Sequence, residues 1–192
     1  MLATVIVQGA GMSSAFIQVP PGWILITQVG CGTDLLESLS YRIHASPDGS
    51  LTPNYTWNFC TDSSCTTPES VFGTGSIVAY DDISNSTPLQ SGSGSPECDC
   101  TLNSTTAIAN GFTPTAPNSL VISQFGAVGN DSLKNPAGMI SIFNHANLFG
   151  PSDRQSWALL GTSPTGPVTS AYSAGAAASD NIGCLLSTNP GP

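Results

Sequence analysis

The sequence predicts an all-β fold: a jelly-roll-like β-sandwich of about ten strands. Three observations predict it. Short apolar or alternating runs recur along the 192 residues. Turn-forming clusters separate these runs, in a chain with 20 Gly and 15 Pro. No segment sustains the 3.6-residue period of an amphipathic helix. Many short strands, evenly spaced and punctuated by Pro, Gly, Asn and Ser, belong to a sandwich or barrel.

The first run is Leu2, Ala3, Thr4, Val5, Ile6 and Val7. No Lys or Arg precedes it, and the first cation is Arg42. A secretory signal would carry basic residues ahead of a longer apolar stretch, so this run reads as a strand rather than a complete signal peptide. Further strands are expected at residues 15–19, 23–29, 37–45, 54–59, 75–80, 106–108, 119–128, 138–144, 157–160, 168–172 and 182–187. PPG, GCG, SPDGS, SGSGSP, TPTAPN, SPTGP and NPGP lie between them as turn sequences. Residues 34–39 could form one helical turn. The WILITQV run reads as a strand buried on both faces. In NYTWNF, alternation puts Tyr55, Trp57 and Phe59 on one face as core anchors. SLVISQFGAV reads as a central strand. The expected division is an N-terminal strand over residues 1–12 and a sandwich domain over residues 13–192.

Charge narrows the partners. Only 8% of residues are charged, against about 25% in an ordinary globular chain. Three Lys plus Arg face twelve Asp plus Glu, for a formal net charge of −9. Three cations are too few for the phosphate contacts that dominate nucleic-acid affinity. An acidic surface repels anionic lipid, and no run reaches the roughly 18 apolar residues of a membrane span. Neither nucleic acid nor membrane insertion is expected. The 27 Ser and 19 Thr fit an extracellular or cell-surface β protein kept soluble by hydroxyls and attached sugars.

Six cysteines, Cys31, Cys60, Cys65, Cys98, Cys100 and Cys184, point to disulfides and an oxidising compartment. The C-x4-C and C-x-C spacings, without a nearby His pair, do not make a zinc set. Cys60 and Cys65 flank a turn and are expected to pair. Cys98 and Cys100 are too close to pair with each other and are expected to reach Cys31 and Cys184, in an order that spacing leaves open. Four N-x-S/T sequons, at Asn54, Asn85, Asn103 and Asn130, are candidate glycan acceptors.

No catalytic set emerges. G-x-S-x-G is absent, and His44 and His145 are isolated in sequence. No cofactor is expected. The acids Asp81 and Asp82, with Glu97 and Asp99, are weak calcium candidates, and the same carboxylates could serve a glycosidase. Loop solvation is the plainer reading of both pairs. Trp157 is the candidate platform for stacking a sugar.

One resemblance covers most of the chain. The order of PPGW at 20–23, LSYRI at 39–43, YTW at 55–57, GSIVAYDDISNSTPL at 75–89, NSLVISQFGAVGN at 118–130 and NIGCLLSTNP at 181–190 resembles a broad, poorly characterised family of secreted β-sandwich domains. These occur in bacterial surface proteins and phage structural proteins. The resemblance implies a further strand and a Gly-Asp-like turn ahead of residues 2–7. A sandwich lacking that strand would expose unpaired backbone, which a neighbouring copy can fill by strand addition. Two readings of Leu2 to Val7 therefore stand. The run pairs with an adjacent subunit in a head-to-tail filament, or it is the first strand of its own sandwich. The function expected is a structural subunit of an extracellular fibril or appendage, a homo-oligomer without catalysis. The alternative is a carbohydrate-binding module or adhesin of a cell surface or phage tail.

Overall fold

The chain is seen in a computed structural model. It describes residues 1–9, 11–44, 54–90, 96–130, 132–146, 150–160, 168–171 and 177–191, with the backbone alone at 13, 157–160 and 168–171. Among these residues there are thirteen strands, one short 3-10 turn at Met12–Ser14 and no α-helix. The strands are β1 (Leu2–Gln8), β2 (Phe16–Gln18), β3 (Ile24–Cys31), β4 (Leu35–Tyr41), β5 (Asn58–Cys60), β6 (Phe72–Val78) and β7 (Glu97–Ser104). They continue with β8 (Thr106–Ala109), β9 (Ser119–Ala127), β10 (Ile140–His145), β11 (Ser152–Leu160), β12 (Val168–Ala171) and β13 (Ser179–Ser187).

Two antiparallel sheets make the sandwich. One has the order β3-β4-β1-β6 and the other β10-β11-β9-β13-β7. Leu2 and Ile6 of β1, Leu35 and Leu39 of β4, Ile122 of β9 and Ile182 and Leu186 of β13 meet between them in one buried cluster. The outer faces are covered as well. The β2–β5 pair and its flanks pack Ile17, Trp57 and Phe59 against Val5, Val7 and Leu36. The β8–β12 pair and its neighbours lay Ala107, Ala109 and Phe112 on Val121, Phe125 and Leu185.

This layering explains the continuous apolar run of β1. A strand covered on both faces has no reason to alternate. All six residues from Leu2 to Val7 are buried. β1 also pairs on both edges, with β4 from Leu2 opposite Tyr41 to Gln8 opposite Leu35, and with β6 from Leu2 opposite Val78 to Gln8 opposite Phe72. Within the chain, Leu2, Ala3, Thr4, Val5, Ile6 and Val7 pair with both neighbours in the first sheet, which is the arrangement of a first strand in its own sandwich.

Other expectations need correcting. Residues 34–39 form no helical turn, because β4 runs through them, and Leu35, Glu37 and Leu39 share the inward face. The strand from Ile24 is not buried on both faces. It is a sheet edge, with Ile24 50% exposed and Leu25 37% exposed. Tyr55, Trp57 and Trp23 cluster edge-to-face with one another, but on the outer face of the first sheet rather than between the sheets. The β7 strand was unexpected: ECDCTLNS has no apolar pattern, and pairing with β13 makes it a strand. SLVISQFGAV is central, with β11 on one side and β13 on the other.

Candidate functional site

A cavity of about 660 Å3 opens at the end of the sandwich where β1 begins. Leu2, Ile122 and Leu186 form its apolar depth, continuous with the inter-sheet core. Tyr41, Tyr80 and Leu89 pack on that core and also line the cavity. Its mouth carries Asp81, Asp82, His44 and Asn85.

One wall is a strap, residues 79–90, laid across the sheet ends. Its conformation is fixed by the last described segment. Ser84 N donates to Asn189 O at 3.0 Å, Asn189 N to Pro88 O at 3.0 Å, Gln90 N to Ser187 O at 2.9 Å and Gly191 N to Asp82 O at 2.6 Å. Asp82 takes a left-handed backbone, φ 57, which Asp tolerates better than most residues. A second cavity of about 630 Å3 adjoins the first and shares residues 79–83, Thr188 and Gly191 with it.

Deeper between the sheets sits a polar cluster that alternation places there. Glu37 and Thr74 flank Ile6 from the two neighbouring strands. Opposite them, β9 offers Gly126, beside Asp153 on β11. A side chain at position 126 would lie 3.1 Å from Glu37 Oε2, so this glycine makes the room that Glu37 occupies. Glu37 is buried, and neither carboxyl oxygen has a hydrogen-bond partner among the described residues. Burial, and then the charge of Asp153, push its pKa well above the ordinary range. Burial likewise raises Asp153 to about 6, although His145 Nδ1 at 3.1 Å and Thr74 pull the other way. Tyr80 Oη donates to Gln155 Oε1 at 2.8 Å, and burial raises its pKa too.

The sheet edges form a third feature. Among the described residues, six of the seven exposed large hydrophobics lie on the four edge strands: Ile24 and Leu25 on β3, Phe72 and Ile77 on β6, Leu102 on β7 and Ile140 on β10. Three of these edges carry devices that discourage pairing. The registers of β3 and β10 are broken by irregularities at 25–27 and 141–143. β7 carries Glu97 and Asp99 and is bridged to β3 through Cys31–Cys100. β6, FGTGSIV, has no charge, proline, disulfide or register shift, and its outer edge pairs with no described residue.

The residues expected to matter are distributed as follows. The disulfides are Cys31–Cys100, Cys60–Cys65 and Cys98–Cys184, with no free cysteine. Cys98 and Cys184 are directly opposite across β7 and β13. Asn54, Asn85, Asn103 and Asn130 are all exposed, and Asn103 lies on β7 with φ 47 rather than in a loop. Asp99 is held by Asn110, through bonds of 2.8 Å from its backbone N and from Nδ2. No group of three or more His, Cys, Asp or Glu among the described residues converges on a metal position. Trp157 falls on β11 opposite Ile122 and Ile140, and its side chain lies outside the described residues. Sequence reasoning passed over Glu37, Asp153 and Tyr80. The signal for Glu37 was available: in LLESLSY a strand period sets an acid between two leucines on one face. No known protein family, curated protein or solved structure matches the chain.

Proposed function

We propose that the chain is a structural subunit of an extracellular assembly, joined by addition of the β6 edge of one copy to the β3 edge of the next. The supporting observation is the unprotected β6 edge. It exposes unpaired backbone groups on one side and carries Phe72 and Ile77, 60% and 43% exposed. The opposite edge of the same sheet, β3, bears the register irregularity at 25–27 and the Cys31–Cys100 bridge at its end, yet it is uncharged and exposes Ile24 and Leu25, which are the surface that β6 would meet. Pairing two different edges is heterologous and does not close, so it continues the sheet from copy to copy. Each of the four exposed side chains buried at such a joint contributes about 1.5–3 kcal/mol before ordering costs are subtracted. The first strand takes no part, because both its edges are already paired.

Three disulfides in a chain with no free cysteine, no described helix long and apolar enough to cross a membrane, and four exposed sequons support an extracellular, glycan-bearing setting. The test is Ile77→Lys, which places a charge on the solvent side of β6, as natural edges do. Electron microscopy and sedimentation of the native protein should show filaments that the variant does not form, with an unchanged melting temperature. A wild-type monomer at every concentration, or filaments that persist in the variant, refutes the reading. A closed dimer refutes the head-to-tail pairing.

A further inference from the structure

We propose that the cavity at the Asp81–Asp82 end binds a small amphipathic cation, an organic ammonium group carrying an apolar tail. The inference is independent of how copies assemble. A volume of about 660 Å3 lies in the range of small-molecule sites, which typically combine an apolar interior with a few placed polar groups. The depth, formed by Leu2, Ile122 and Leu186, would strip water from a tail. Two tyrosines, Tyr41 and Tyr80, also line the cavity and pack on that core. Aromatic faces accept both alkyl chains and cationic heads.

The mouth selects the charge. Asp81 and Asp82 are exposed there on a strap held by backbone hydrogen bonds, so their position is set before a ligand arrives. The opposing charges are few: of the two cations in the lining, Arg42 is turned away and the Met1 amine is tied to a backbone carbonyl. Arg42 lines the cavity, but its guanidinium lies 5.6 Å from the centre of the Tyr55 ring and beside Gly22 on the outer face. The Met1 amine donates to Arg42 O at 2.8 Å. His44 is the remaining base at the rim. Arg154 is committed to Leu133 O, Asn135 Oδ1 and Ser141 Oγ on another part of the molecule. A formal charge of −9 adds a long-range attraction for cations. The second cavity shares residues 79–83, so both acids line two adjoining hollows.

The experiment is calorimetric titration of the full chain with hexyltrimethylammonium, with hexanoate, hexanol and methyl glucoside as comparisons. Saturable binding of the cation is expected, weakening as salt is added, with hexanoate silent. Asp81→Asn together with Asp82→Asn should lower the affinity about tenfold or more while leaving the melting temperature in place, since both side chains are exposed. Leu89→Trp, on the strap, should block the cation by filling the cavity. The proposal is overturned if the cation does not saturate, if hexanoate binds as well, if the double Asn variant binds unchanged, or if methyl glucoside binds and the cation does not.

Discussion

Glu37→Gln should stabilise this protein at alkaline pH and do little at acid pH. Glu37 is fully buried on β4, its two oxygens meet no donor, and Asp153 adds a second acid nearby. The groups that face it are Ile6 of β1, Thr74 of β6, Gly126 of β9 and Asp153 of β11, with His145 of β10 behind Asp153. None is a cation in contact with it. The pKa is raised in the fold, so the folded state holds a proton that the unfolded chain releases. Stability is therefore complete below the ordinary carboxyl range and falls as pH rises toward the folded value. Asp153 behaves alike, and its rise from 3.8 to about 6 corresponds to about 3 kcal/mol lost between those pH values. An unpaired buried charge at Glu37 costs on the order of 3 kcal/mol or more. Gln copies the protonated shape but adds donors, which cost about 1 kcal/mol if unsatisfied. Denaturant unfolding with disulfides intact at pH 4, 6 and 8 reads this directly. The wild type should weaken steadily with pH. The variant should match it within about 1 kcal/mol at pH 4 and exceed it by about 2 kcal/mol at pH 8. A variant less stable than wild type at pH 8 would show that Glu37 is an ionised, partnered carboxylate and that this account of the cluster is wrong.

Other substitutions probe the remaining layers. A methyl group at Gly183 of β13 would run into the Ile108 backbone carbonyl, which belongs to a paired strand and cannot withdraw, whereas one at Gly126 meets the mobile end of Ile6 at 2.6 Å. Gly183→Ala should therefore cost about 3 kcal/mol and Gly126→Ala about half of that, compared by chemical denaturation. Arg154 is buried, pairs with no carboxylate among the described residues and donates to three neutral acceptors. Arg154→Met should cost about 3 kcal/mol by leaving them unpaired, and a neutral result in the same assay would remove its role as the tie between β11 and residues 133–141. Replacing Cys31 and Cys100 together by Ser opens a separation of 69 residues. The loss should be about 4 kcal/mol on the chain-entropy account, and a smaller loss is expected on removing Cys60–Cys65, which spans 5 residues.

The sequence by itself determined the class of fold, because period-2 runs and turn residues are local signals. It located β1, β9 and β13, and it paired Cys60 with Cys65 because five residues around a turn leave little choice. It reached the right partners for Cys98 and Cys100 as a set, but not their order. That order depends on which strands become neighbours: β7 lies beside β13, opposite Cys184, and faces β3 across the sandwich edge. The tertiary structure also decided the place of Leu2 to Val7. An apolar strand reads alike whether its partners are β4 and β6 or another copy, and only long-range pairing distinguishes the two. Glu37 and Asp153 follow the same rule. They lie on different strands of opposing sheets, 116 positions apart in the numbering, and no local pattern relates them. Asp81 and Asp82 were visible as an acid pair on a loop. They became the rim of a cavity because the strap is bonded to residues 187–191, a contact made across about a hundred residues of chain that sequence spacing does not encode.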